Sequence, residues 1–427
     1  MEVTMEESNW KRPFFTIWSG QAVSLLGSSL AGFALVWWLA STSKSATVLA
    51  GATLMMILPQ VVLGPLIGAL VDRWNRRVVM MAVDGGIALL SLGLAGVFWA
   101  GQARFGHVYA VMLLRAVGQV IHLLAMQAAT PLMVPDRHLA RVAGMNQTLQ
   151  GAMNIVAPPL GALLLSVVPV EAVLLLDMAT ALIAVLPLCW IHIPAPRVQT
   201  YPAAVEGEPP CKTSVWGEMR EGLRFVWGWP GLLIILTLAA MLNFFGVPTL
   251  SFMPLLVTNH FQMGALELGW LQTAVGVGVL GGGLLLSTWG GGRSRVVTML
   301  GALTVQGVGV VLMGAAPANA FAVALIGNLL CGLSRPVIDG LMFAILQSLV
   351  PPEMLGRVFS LMMSACAAMA PLGLLIAGPV VDGVGVQFWF VLTGVVTLVA
   401  SAVGFLIPAV RCLENRRVSQ LMEVQNV

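Results

Sequence analysis

Charge is what this chain has least of. Only 39 of its 427 residues are Asp, Glu, Lys or Arg, against about a quarter in ordinary soluble domains, and that scarcity excludes a water-soluble globular protein. The basic residues are scattered over short segments with no continuous basic face, so a nucleic-acid partner is excluded as well. Cysteine is nearly as rare. Cys189, Cys211, Cys331, Cys366 and Cys412 show no paired spacing, which rules out a disulfide framework or a zinc site and leaves five free thiols as the expectation. No Gly-x-x-x-x-Gly-Lys loop is present, so direct ATP drive is excluded. No recognisable catalytic or metal-ligand spacing marks an enzyme, and no cofactor is expected. No cleavable leader is expected, because Met1 to Pro13 carries three Glu before Lys11 and Arg12. The first apolar run is long enough to span a bilayer, and the first helix is expected to serve as its own signal.

What the chain has is apolar length. Hydrophobic residues make up 58% of it, and a bilayer core of about 30 Å takes about 20 apolar residues per helical crossing. Twelve such runs can be drawn. Six fall roughly at Phe14–Ala40, Val48–Val71, Val78–Ala100, Val108–Leu132, Val142–Val168 and Ala172–Ile193. Six more fall roughly at Leu232–Thr258, Leu268–Trp289, Val296–Ala316, Phe321–Leu349, Val358–Val381 and Phe388–Val410. The expected fold class is an all-α membrane protein with twelve transmembrane helices in two pseudo-symmetric six-helix bundles. The basic residues orient it. Of 21 Lys and Arg, Lys44 and Arg104 lie on one side, Arg115 and Arg335 lie inside spans, and the other 17 lie opposite. Basic residues concentrate on the cytoplasmic side of membrane proteins. Both termini are therefore expected in the cytoplasm.

One long polar interruption, Pro194 to Trp229, divides the chain. Its start, PAPRVQTYPAAVEGEPPCK, is Pro-rich and reads as an extended strap. Val215, Met219, Leu223 and Val226 then recur at helical spacing, which predicts an interfacial helix on the cytoplasmic face. The expected organisation is residues 1–193 as the first bundle, 194–230 as a linker and 231–427 as the second. The halves also echo each other. LMVPDRHLARVAGM from Leu132 aligns with SLVPPEMLGRVFSL from Ser348 at an offset of 216, and PPLGALLL from Pro158 echoes PLGLLIAG from Pro371. Duplicated six-helix bundles suit alternating-access transport.

Charges inside the spans are the candidate working groups, because an ionised side chain in hydrocarbon costs several kcal/mol unless it faces a cavity or a partner. In LLRAVGQVIHLLA, Arg115, Gly118 and His122 share one helix face. Asp177 in VLLLDMATALIA has no charged neighbour in its own helix, which makes it the first choice for a proton carrier. Asp84 in MMAVDGGIALL lies near a helix end, where a packing role leads. Arg335 and Asp339 in SRPVIDG stand one turn apart and can neutralise each other, with Pro336 expected to disturb the helix between them. Asp339 is the second choice. GVGVLG, Gly276 to Gly281, matches a nucleotide-binding pattern only by its letters, and close helix packing is the better reading inside an apolar span. The 24 Met read as adaptable packing that also suits varied greasy ligands.

The turn GALVDRWNRR, Gly68 to Arg77, resembles the loop motif between the second and third helices of the major facilitator superfamily, usually Gly-x-Leu-Ala-Asp-Arg-x-Gly-Arg-Arg. Asn75 stands where that motif has its last glycine, and it tolerates the left-handed turn better than most residues. NWKRPFFTIWSGQAVSLLGS, the Arg115-to-His122 pattern, LGRVFSL and GVGVQFWFVLTG further resemble the macrolide-efflux branch, across nearly the whole chain. This resemblance implies an exporter of small lipophilic drugs driven by an ion gradient, with protons as the exchanged ion, acting as a monomer in a bacterial inner membrane. It also implies a latch of Gly68, Asp72, Arg73, Arg76 and Arg77 that holds one conformation, Asp72 binding the start of the eleventh helix. Arg115, His122, Asp177, Arg335 and Asp339 are the corresponding cavity or coupling candidates. Export of a siderophore or a lysolipid remains open on the same fold, as does a non-transporting sensor or scaffold.

The charge bias has a direct test. Single cysteines introduced near Lys44 and Arg104 are expected to react with an impermeant thiol reagent in intact cells, and cysteines in the Pro194–Trp229 segment are expected to react only after lysis. Ready labelling of that segment from outside would overturn the orientation.

Overall fold

The computed structural model describes residues 10–71, 74–191, 224, 227, 230–292, 294–350 and 352–407. Among the described residues, twelve helices are long and apolar enough to cross a membrane. In the first half they are α1 (Lys11–Ser43), α2 (Ala46–Val71), α3 (Arg76–Trp99), α4 (Phe105–Met133), α5 (Asp136–Val167) and α6 (Val170–Trp190). In the second half they are α7 (Pro230–Ser251), α8 (Ala265–Trp289), α9 (Arg295–Ala315), α10 (Phe321–Leu349), α11 (Pro352–Val384) and α12 (Val386–Leu406). A short turn of helix, Met253–Leu255, and a π-helical turn, Leu256–His260, extend α7. Helices are the natural solution here, since a lipid-facing backbone must satisfy its own N–H and C=O groups.

The chain packs as two compact units. One gathers Met1–Lys44, Gly51–Glu206 and Gly264–Gly269, and the other gathers Ser45–Ala50, Gly207–Met263 and Trp270–Val427. In the first, α1 packs on α5 and α6, and α3 packs on α4 and α6. In the second, α7 packs on α11 and α12, and α9 packs on α10 and α12. Each pairing of the first half thus recurs six helices later. The register agrees: α4 and α6 end to end match α10 and α12 at the offset of 216 read from the sequence. Val134 and Val350, equivalent at that offset, terminate α4 and α10 in extended backbone, are both buried, and donate to Thr130 O and Leu346 O. The echo between Pro158 and Pro371 falls within α5 and α11, about one helical turn out of that register.

Lipid gives helices no hydrophobic reason to associate, so close approach through small residues has to do it. A Cβ on Gly27 would lie 1.9 Å from Thr180 Oγ1 and 3.0 Å from its Cβ, so only glycine lets α1 meet α6 there. In the second unit a Cβ on Gly282 would lie 2.1 Å from Leu333 O, and one on Gly278 2.5 Å from Leu329 O. The Gly-rich stretch around Gly276–Gly281 is therefore a face for helix packing. Helix α10 runs unbroken from Phe321 to Leu349 through Pro336, so the expected disturbance does not interrupt it. Also in the second unit, Asp382 near the end of α11 accepts from Ala46 N at 2.6 Å, Thr47 N at 3.0 Å and Ser45 Oγ at 2.8 Å. A carboxylate distant in sequence thereby caps the first turn of α2, where free N–H groups and the helix dipole favour negative charge.

The predicted interfacial helix lies outside the described residues, apart from Arg224 and Trp227, which are helical and exposed. Cys189, Cys331 and Cys366 are free thiols.

Candidate functional site

Asp177 is the most enclosed charge among the described residues, with no exposed surface. Its Oδ2 accepts from Arg115 Nη1 of α4 and from Ser91 Oγ of α3, the latter at 2.6 Å, while its Oδ1 accepts from Ser28 Oγ of α1 at 3.0 Å. Arg115 Nη1 also donates to Ser91 Oγ. One carboxylate on α6 therefore joins four helices. Arg115 is itself buried, and its Nη2 has no hydrogen-bond partner. The expectation that Asp177 lacks a charged neighbour holds along its own helix and fails in space. A guanidinium and two hydroxyls face its two oxygens.

A second buried carboxylate, Asp84, lies on α3, on the face that carries Ser91. Asp84 is 5% exposed, and Gln21 Nε2 of α1 donates to its Oδ2 at 2.9 Å. His122 Nε2 of α4 stands 3.5 Å from Asp84 Oδ1. That is close enough for a charge pair, yet Nε2 is shut away from solvent without a hydrogen bond. The packing role first given to Asp84 leaves out these two partners.

The two groups form a ladder. Gln21 and Ser28 on α1, Asp84 and Ser91 on α3, and Arg115 and His122 on α4 are each seven residues apart, so the rungs stand about 10 Å apart at 1.5 Å rise per residue. Gly118, between Arg115 and His122, lets α3 come close, because a Cβ there would lie 3.2 Å from Val83 Cγ1 and 3.3 Å from Ile87 Cδ1. The shared face read in the sequence is thus the one that meets α3.

Arg335 and Asp339 pair along α10 at 3.7 Å, with more than half of each side chain exposed. Unlike the buried rungs they are open to whatever surrounds α10. In the loop motif, Gly68 lies in α2, and Asp72 and Arg73 lie outside the described residues. Arg77 donates from Nε to Leu188 O at 2.5 Å and from Nη2 to Cys189 O at 2.7 Å, neutralising the carbonyl end of α6 within its own unit. Arg76 is buried, and its Nε makes no hydrogen bond. Asn75 is not left-handed. At φ −70° and ψ 107° it is extended, and its side chain caps α3 by accepting from Arg77 N and Val78 N, which explains the replacement of glycine by a different route from the one expected.

Twelve long apolar helices, paired alike in two halves and carrying acidic and basic side chains inside the spans, are the architecture of a polytopic membrane transporter. The chain matches the Major Facilitator Superfamily model over residues 17–264. It is 32% identical to Macrolide efflux protein A of Streptococcus pyogenes over 409 residues, covering 95% of this chain and 98% of that one. It is 24% identical to Multidrug efflux pump Tap of Mycobacterium tuberculosis, covering 96% of both. Among solved structures, a bacterial homologue of the human lysosomal transporter Spinster shares the fold with a TM-score of 0.69 at 14% identity, covering 96% of this chain and 98% of that one. The chain belongs to the Major Facilitator Superfamily, in its macrolide-efflux branch, and is a transporter rather than an enzyme.

The upper rung carries a stability expectation. Removing one member of a buried ion pair leaves an uncompensated charge, so Asp177→Leu is expected to cost about 3–5 kcal/mol. The double variant Arg115→Met with Asp177→Leu is expected to lose less. Thermal unfolding of the detergent-purified protein checks the order, and a double variant less stable than the single one would refute it.

Proposed function

We propose that the protein exports small lipophilic, macrolide-like compounds from the cytoplasm in exchange for protons, by alternating access, across a bacterial inner membrane. The observation that carries this reading is identity of 32% over nearly the full length of both chains with a macrolide efflux protein. That relatedness runs along nearly the whole chain and so takes in both halves. The basic bias supports cytoplasmic termini. Titratable groups held inside the first unit support proton exchange, because a coupling proton needs an acceptor within the protein. The Gly68–Arg77 turn serves as the latch in this reading, with Asp72 stabilising one of the two conformations and Arg73, Arg76 and Arg77 fixing helix ends. Arg335 and Asp339 supply a polar contact for a ligand in the second unit.

Expression in a susceptible bacterial host tests the reading across chemical classes of drug. Raised resistance to macrolides, with accumulation restored by a protonophore, is the expected outcome, and unchanged susceptibility to every class would overturn export. Asp72→Asn is expected to reduce that resistance at equal membrane abundance, since it removes a conformational contact but no topogenic positive charge. Full resistance in the variant would reject the latch.

A further inference from the structure

The two rungs differ in the nature of their cation. At the upper rung the cation is a guanidinium, which stays charged at any working pH. Protonating Asp177 would also leave Arg115 as a lone buried charge. At the lower rung the cation is a histidine, whose charge changes near neutrality. Asp84 has a single hydrogen-bond donor, the neutral amide of Gln21. Its other oxygen faces an imidazole nitrogen that is buried and unbonded.

We propose that the Asp84–His122 pair is where the transporter takes up and releases its exchanged proton, while the Asp177–Arg115 pair stays ionised throughout. The proton adds to the lone pair of His122 Nε2, and the new N–H donates to Asp84 Oδ1. Proton uptake takes the pair from a net charge of −1 to zero, supplies the bond that Nε2 lacks, and leaves a neutral group that can be enclosed. Release leaves an unmatched carboxylate that favours hydration, so occupancy by the proton is linked to how closely α1, α3 and α4 close around it.

Among the described residues, His122 is the one cationic side chain within ion-pair distance of Asp84. On α4 Arg115 is held by Asp177, and on α3 Arg77 is held by carbonyls of α6. Arg76 lies two turns from Asp84 along α3. Helix α6 brings Asp177 to the upper rung only and places Ala184, fully buried, one heptad further on. Helix α1 brings Gln21, α2 brings no charged group among its described residues, and α5 keeps its charges in its first two turns, from Asp136 to Arg141.

This inference rests on proton exchange, and one preparation separates the two. The purified full chain is reconstituted in proteoliposomes with radiolabelled erythromycin as the probe, and gradient-driven accumulation is compared with gradient-free exchange. If the unsubstituted protein ignores an imposed pH gradient, proton exchange fails and this assignment fails with it. If it responds, Asp84→Asn and His122→Gln are each expected to lose accumulation by at least about tenfold while still exchanging erythromycin. The pH dependence of exchange between about pH 5.5 and 7.5 should also flatten. Variants that accumulate erythromycin normally would overturn the assignment and leave proton exchange standing. Loss of exchange together with accumulation in both would overturn it too, marking the rung as structural. A pH dye in weakly buffered detergent gives a direct second readout, in which erythromycin releases protons from the unsubstituted protein and none from Asp84→Asn. Equal release from both would overturn it.

Discussion

Inside a bilayer nothing replaces the water that an ionised group has lost, so each charge must bring its partner with it. In the first unit that constraint is met by one carboxylate. Asp177 on α6 takes hydrogen bonds from α1, α3 and α4, and its geometry demands that all four helices come within reach of a single side chain. The close approach of Gly27 to Thr180 on α6, adjacent to Ser28, follows from that demand, as does the absence of a side chain at Gly118 opposite Val83 and Ile87. The small residues are not a separate packing device. They are what allow the ion pair to be closed without strain.

The same four-helix arrangement fixes the lower rung. Because the partners on α1, α3 and α4 are all spaced by seven residues, setting the helices around Asp177 also sets Gln21, Asp84 and His122 around one another. A rigid upper rung thereby holds a softer lower rung in position. Rigidity and responsiveness are chemically distinguishable here. A guanidinium stays charged at any working pH, whereas an imidazole is a side chain that can gain and lose a proton, so the proposed assignment gives the two rungs different roles. A site that must change its charge during a cycle needs the second kind, placed beside an element that does not change.

How much of this was readable beforehand depended on whether the signal was local. Twelve helices followed from apolar length, and the duplication followed from Val134 and Val350 with their neighbours, because both are properties of consecutive residues. The face of α4 carrying Arg115, Gly118 and His122 was also local, and the structure turns it toward α3. Ion partners were not local. Asp177 and Arg115 are 62 positions apart and Ser28 is 149 from Asp177, and no periodicity in one helix reports what a third brings to it. The heptad spacing on α1, α3 and α4 was present in the sequence all along, yet it gains meaning only once the helices are known to be neighbours. Asp382 escaped for the same reason, since its partners at Ser45 to Thr47 are more than 330 positions away. Asn75 shows the converse error. A departure from a glycine motif suggested a left-handed turn, while the residue's stronger local preference, capping a helix, was the one realised.

The duplication lets the two halves be compared position by position, and the comparison says what the ion pairs are for. At the offset of 216 that relates α4 to α10 and α6 to α12, Arg115 corresponds to Cys331, His122 to Ile338 and Asp177 to Thr393. Each of these three groups of the first unit has a counterpart without a formal charge in the second. Thr393 is buried and bonds Thr249 Oγ1 at 3.0 Å, and Cys331 Sγ reaches Gln306 O at 3.6 Å. The second unit closes by glycine contact instead. A Cβ on Gly309 would lie 2.5 Å from Gly327 O, and one on Gly332 2.3 Å from Val275 O. Hydroxyl bonds and bare backbone contact suffice to hold the same helix pairings together, so buried charge is not what the fold itself requires. Among the described residues buried charge is confined to the first unit, at a cost that the second avoids, and the proposed proton exchange gives that asymmetry a use.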